Sequence, residues 1–438
     1  MSHFESDDLV KLVSRLSISR TPSDIAFSWL EMKGKYPELS GVIHLDDYDK
    51  DVLPCSISKY TKEPNNYLTP YFKSENLYFI DDEMLKCIFL NGTNDFLIDY
   101  TVMFDTNMAS YIKKLVRGES VGEVQNKLLT LIDGLLRDQL NFDFLFYLVE
   151  NIKVIMITAN FEARSKLEFW LSLDKAFREN LCCLHLFASI NCEEYKRTLN
   201  PRYTVSFNRA AHNAMESAYD FYVNKKSELE AIMLMQRNLL LNLIGMIRIQ
   251  EESNRNERNK MTSYLKFMHE TIGLYMDREA IIAHKYFSSR SNLPILNQVH
   301  KNCNTKRLLK KLDNIAWDMA VPRIMEKLIP LGMGSEGHYF VPMFLSFDKN
   351  LRKMLKMHPI KGTVYNRDTG DIVTLPDTNS SDYFSANNLG KEINWICSNE
   401  QRNERKQRSL HTRSSTHQQI IIEYRKLLNV LKKQPAKH

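Results

Sequence analysis

The stretch Phe96-Leu-Ile-Asp-Tyr-Thr-Val-Met-Phe-Asp105-Thr-Asn107 decides how this chain is read. β-Branched and aromatic residues dominate its first nine positions, which predicts a buried strand. Asn91-Gly92 before it predicts a turn. The run ends at Asp105, and helical spacing resumes at once with Met108, Tyr111, Ile112 and Leu115. A second stretch repeats the design. Tyr339-Phe-Val-Pro-Met-Phe-Leu-Ser-Phe347 predicts another buried strand, delivering Asp348 at its carboxyl end, with a helix following over 349–357. In open α/β sheets, ligands bind outside the carboxyl ends of strands, so Asp105 and Asp348 are candidates for one crevice. Asp is also a favoured helix N-cap, and each aspartate fits that role as well.

Between the two strands the pattern is almost wholly helical, over 121–140, 142–157, 161–173, 210–223, 227–249 and 261–286. The run 250–260 is polar. Helix returns over 305–325, broken or bent at Pro322. Pro330, Gly332, Gly334 and Gly337 predict a loop. Upstream, residues 1–95 are mixed, with helices predicted at 8–16 and at 23–32, the second capped by Ser23, and loops at Pro64, Asn65-Asn66 and Pro70. Downstream, 361–375 predicts a hairpin around Asp368-Thr-Gly-Asp371. Residues 376–419 read as loop-rich, and 420–431 as a basic amphipathic helix.

The composition sets outer limits. At 438 residues, 43% hydrophobic and 26% charged, the chain can bury a large core, which excludes wholesale disorder. Scarce Gly (14) and Pro (13) argue for much helix. The formal net charge of +6 is unevenly placed. Ten Lys/Arg and two acids, Glu404 and Glu423, lie from Arg402 to His438, a net of +8, so residues 1–401 carry −2. Such basic ends suit nucleic acid or anionic partners. Seven scattered cysteines make no disulfide framework, and Cys182-Cys183-Leu-His185 sits among leucines as a buried helix would. The first residues lack the basic and apolar regions of a signal peptide. Polar residues from Glu230 to Arg248 argue against a membrane span. These features lead us to expect a reduced, cytoplasmic, soluble protein. Phosphate-cradling glycine loops, nucleophile elbows and H-E-x-x-H are not found in the sequence.

Further acids sit on apolar helical segments. They are Glu150, Asp318 with Asp313 five residues earlier, and Glu279 as a rival to Glu150. Carboxylates that converge without bases repel one another, and a hard divalent cation, Mg²⁺ or Mn²⁺, removes the conflict. Phe-Asp105-Thr106-Asn107 after the first strand, Glu150, Trp-Asp318-Met-Ala and Leu-Ser346-Phe-Asp348 together resemble the PIN-like nuclease superfamily over about residues 96–355.

The resemblance implies an α/β fold: a PIN-like parallel-sheet core with a large helical insertion and N- and C-terminal extensions. The corresponding divisions are 1–95, 96–155, 156–300, 301–360 and 361–438. It implies Asp105, Glu150, Asp318 and Asp348 as metal ligands, with Asn107 and Ser346 in support. The activity implied is metal-dependent endoribonuclease, with a toxin or defence role among those the family serves. Arg323, Lys349 and Arg352, with Lys113, Lys114 and Lys353, are candidates to hold substrate phosphates. The partner expected is RNA, with other nucleic acid or a protein partner or oligomer left open. The alternative is a non-catalytic helical scaffold that binds a partner through its basic end.

Overall fold

The computed structural model describes residues 7–46, 55–62, 65–74, 76–90, 96–252, 256–301, 303–331, 338–412 and 416–432. The turn at Asn91-Gly92, the glycines at 332, 334 and 337, Pro64 and part of the 250–260 run lie outside these residues. The chain is mixed α/β and 64% helical. It forms two compact units. The first comprises Met1–Ala231, Ile324–Phe347 and Ile360–Leu375; the second comprises Ile232–Arg323, Asp348–Pro359 and Pro376–His438.

The first unit holds two four-stranded sheets. The strands are β1 (Leu39–His44), β2 (Leu68–Pro70), β3 (Leu77–Asp81), β4 (Ile98–Phe104), β5 (Asn141–Asp143), β6 (Tyr339–Leu345), β7 (Ile360–Asn366) and β8 (Ile372–Pro376). One sheet has the order β3-β1-β7-β8, the other β2-β6-β4-β5. In the second sheet β4 runs parallel to both β5 and β6, while β2 is antiparallel to β6. The first sheet is antiparallel. Parallel pairing is therefore limited to three strands of a mixed sheet.

Residues 1–95, expected as an extension, supply β1, β2 and β3 to these sheets. Leu9, Leu12, Leu16, Ile25 and Trp29, from the first two helices, pack with Ile43, Ile80 and Val364 in one buried cluster. Gly41 in β1 allows a close approach, because a Cβ there would lie 3.0 Å from both Trp29 and Ile80 side chains and one of them would have to give way. The second helix, Pro22–Leu30, is capped by Thr21 and not by Ser23. The Thr21 hydroxyl accepts from the Asp24 amide, and the Asp24 carboxylate accepts from Thr21 N–H in return.

β6 carries Pro342 at its centre, a position proline normally avoids. The Pro342 carbonyl accepts from Tyr71 N, beside β2, so the edge on which its amide is missing faces away from β4. The parallel ladder from Ile98↔Tyr339 to Phe104↔Leu345 runs past it unbroken.

The second unit is helical. The segment expected to be loop-rich forms helices Ser380–Ala386, Gly390–Cys397 and Asn399–Thr412, and helix Thr416–Lys432 follows. Helix Leu308–Leu328 continues through Pro322. Among the described residues one helix, Lys226–Glu252, is long and apolar enough to cross a membrane, and it is mostly buried in the fold. Its polar residues have internal partners: Gln236 donates to the Asp313 carboxylate at 2.9 Å, and Asn242 accepts from the Tyr264 hydroxyl.

Candidate active site

Asp105 is placed by the parallel pairing of β4 with β6. Phe104 is opposite Leu345, so the next residues, Asp105 and Ser346, emerge together at the carboxyl ends of two adjacent strands. The Asp105 amide donates to Leu345 O at 3.2 Å, continuing the ladder by one bond. Both side chains are buried. The Ser346 hydroxyl donates to Asp105 Oδ2 at 2.5 Å, and the Met108 amide donates to Oδ1 at 2.6 Å. Asp105 is thus the N-cap of helix Thr106–Val116, as its sequence setting predicts. It is also held through its second oxygen, which capping does not require.

Glu150 comes to the same place from helix Leu145–Thr158. Thr106, next to Asp105, donates its hydroxyl to Glu150 Oε2. Glu150 is half-buried. Burial first, and the charge of Asp105 second, push its carboxyl up to about 7, against an opposing pull from Lys153. Two acids 45 residues apart in sequence are thus neighbours, with the Thr106 hydroxyl on Glu150 and the Ser346 hydroxyl on Asp105. Thr106 is the residue the sequence reading missed. It stands inside the Asp-Thr-Asn motif, so its position was available there, but its partner was not.

The remaining candidates are placed differently. Asn107 is exposed on the first turn after Asp105. Lys113 pairs with Glu179 at 3.2 Å, and Glu179 also takes Arg117. Asp318 and Asp348 belong to the second unit. Asp348 is exposed and caps helix Lys349–Leu355, accepting from the amides of Asn350 and Leu351 at 2.7 and 3.0 Å. Asp318 is half-buried on helix Leu308–Leu328, and Asp313 accepts from Gln236. Glu279 is buried and ion-paired to Arg323 through both carboxylate oxygens. Burial alone would raise its carboxyl, but Arg323 and then Arg278 outweigh it and hold it below the usual range. Glu279 and Arg323 are therefore partners of each other. Lys349 is exposed, and Arg352 is buried.

Cys182 and Cys183 are buried free thiols on helix Lys175–Phe187, as expected of a core helix. Burial lifts Cys182 to about 11. Among the described residues no three His, Cys, Asp or Glu side chains are grouped to hold a metal ion. No family model, no curated protein and no solved structure matches this chain.

Proposed function

We propose that the chain is a metal-dependent ribonuclease whose cation is held by Asp105 and Glu150. The observation that carries this reading is that Glu150 is bound by the hydroxyl of Thr106, the neighbour of Asp105 at the carboxyl end of β4, close enough for the Asp105 charge to raise it. A pair suffices, because Mg²⁺ keeps several of its waters and is commonly bound by one or two carboxylates plus substrate phosphates. The donor set fits the ion. It is all hard oxygen, with Ser346 and Thr106 hydroxyls beside the carboxylates. The PIN-like topology belongs to the same proposal.

The bound cation would neutralise a phosphodiester and make water a competent nucleophile at neutral pH. Asp105 supplies a fixed charge, because Ser346 and Met108 hold both of its oxygens. Thr106 fixes the rotamer of Glu150. Glu150 would have to give up its proton to hold an ion, so ion affinity should climb with pH up to about 7.

The non-catalytic alternative relied on a free basic end. Much of that segment is built into helices, with Arg405 buried, Arg408 paired with Glu404 at 3.1 Å and Lys426 with Glu423 at 2.6 Å. Cleavage of RNA by the full chain with Mn²⁺ tests the proposal. Asp105→Asn and Glu150→Gln are each expected to lower the rate at least about 100-fold, the scale of losing a preorganised charge at a reaction centre. Equal cleavage by wild type and both variants would overturn it.

A further inference from the structure

The end of β1 carries a set of side chains that the proposed nuclease centre does not use. β1 pairs with β3, and the register His44↔Leu77 sets His44 beside the residues just before β3. The His44 side chain is buried there. Its Nε2 lies 3.0 Å from Asp46 Oδ1. Its Nδ1 lies 2.8 Å from the Ser74 hydroxyl and 3.2 Å from the Asn76 carbonyl. Ser74 is half-buried and Asp46 is exposed, so the serine stands within reach of solvent. Lys73 pairs with Asp46 at 3.3 Å.

These partners fix the protons. Hydrogen bonds from His44 and then Lys73 hold the Asp46 carboxyl below the usual range, so at neutral pH it is ionised and only accepts. Nε2 therefore carries a hydrogen and donates to Asp46. In the neutral ring Nδ1 is then bare, and the Ser74 hydroxyl donates to it. The Asn76 amide donates to Ser74 Oγ at 3.2 Å and orients it. The Asn76 carbonyl accepts from the Leu45 amide at 3.1 Å, and its second lone pair faces a nitrogen that has no hydrogen to give. It becomes a partner once Nδ1 gains a proton. Each N–H of the imidazolium thus has an acceptor already in place, as a general base beside a hydroxyl requires.

We infer that Ser74 is a nucleophile activated by His44, with Asp46 as a positioning residue, and that this site hydrolyses small carboxylic esters. Nucleophile, base and orienting carboxylate are recognised by geometry and role, not by chain order. Ser74 Oγ attacks the ester carbonyl carbon while its proton passes to His44 Nδ1. The bond to the alcohol oxygen breaks, and Nδ1 gives that oxygen the proton. Water then attacks the acyl carbon and leaves a proton on Nδ1. The bond to Ser74 breaks, and Oγ takes the proton back. One ester and one water become one acid and one alcohol.

The full chain mixed with p-nitrophenyl acetate at neutral pH tests the inference, followed by nitrophenol release and by peptide mapping. Wild type is expected to release an initial burst of nitrophenol and to carry the acetyl group on Ser74. Ser74→Ala is expected to lose both. His44→Gln is expected to slow turnover at least about 100-fold. Asp46→Asn, a change at an exposed residue, is expected to slow it at least about tenfold through kcat, with KM little changed. Should His44→Gln fail to fold, Ser74→Ala and Asp46→Asn, shown folded by circular dichroism, still decide. Acetyl groups on Lys73 or other lysines with Ser74 unmodified would overturn the inference. So would nitrophenol release at the wild-type rate by folded Ser74→Ala or folded Asp46→Asn. His44 lies in the sheet β3-β1-β7-β8 and Asp105 follows β4 of the other sheet, so none of these outcomes depends on RNA cleavage.

Discussion

Glu150 sets the pH behaviour of the first unit. Its carboxyl moves from an ordinary 4.5 to about 7 on folding. Between those values the unfolded chain gives up the proton while the folded chain keeps it. Stability from this group therefore falls as pH rises through the window, and levels off above about 7. The span corresponds to about 3 kcal/mol. Glu150→Gln carries no such charge and should keep Thr106 as its donor. Urea unfolding at pH 4.5 should find variant and wild type alike, and at pH 8 should find the variant more stable by up to that amount. A gap that does not change with pH would show that Glu150 is not held apart from water. At this scale Asp105 and Glu150 were both legible: one ended a strand, and the other interrupted an apolar helix. That Thr106 joins them was not legible, because the bond depends on how two distant helices approach.

Among the elements, helices Asp277–Ser288 and Leu308–Leu328 are tied by the pair of buried Glu279 and half-buried Arg323. Removing one partner of such a pair leaves the other charge in a poor environment. Glu279→Gln is expected to cost about 3–5 kcal/mol in chemical denaturation. A joint change to apolar residues, Glu279→Leu with Arg323→Met, should recover most of it. A loss below about 1 kcal/mol for Glu279→Gln would mean that Arg323 has solvent or another acid in reach. The sequence could not separate this pair from a metal site, since an acid on an apolar helix face is common to both. The strands divide the same way. β4 and β6 are continuous apolar runs and could be read directly. β1, Leu39-Ser-Gly-Val-Ile-His44, mixes small and polar residues, and its burial comes from pairing with β7, more than 300 residues away. Helix Asn399–Thr412 is polar nearly all round and reads as loop. It forms against His269, to whose carbonyl Arg408 donates at 3.2 Å, while Glu404 accepts from the His269 ring at 3.1 Å.

Across the whole molecule, the basic charge and the proposed site fall on different residues. The +8 from Arg402 to His438 looked like a free arm, yet much of it lies in helices with buried and paired side chains. The proposed site lies in the first unit, where β4 and β6 put Asp105 and Ser346 side by side and Thr106 binds Glu150. The set around Ser74 on the same unit draws on the end of β1 and the residues before β3, so no single stretch of sequence announces it. The central claim is that Asp105 and Glu150 hold one divalent cation. Titration of the full chain with Mn²⁺ at pH 6 and pH 8 tests it most directly. The account predicts one site that tightens severalfold to about tenfold between those pH values, because one proton leaves Glu150. It also predicts that the site is lost in both Asp105→Asn and Glu150→Gln. No uptake by wild type, or uptake that neither variant diminishes, would contradict it.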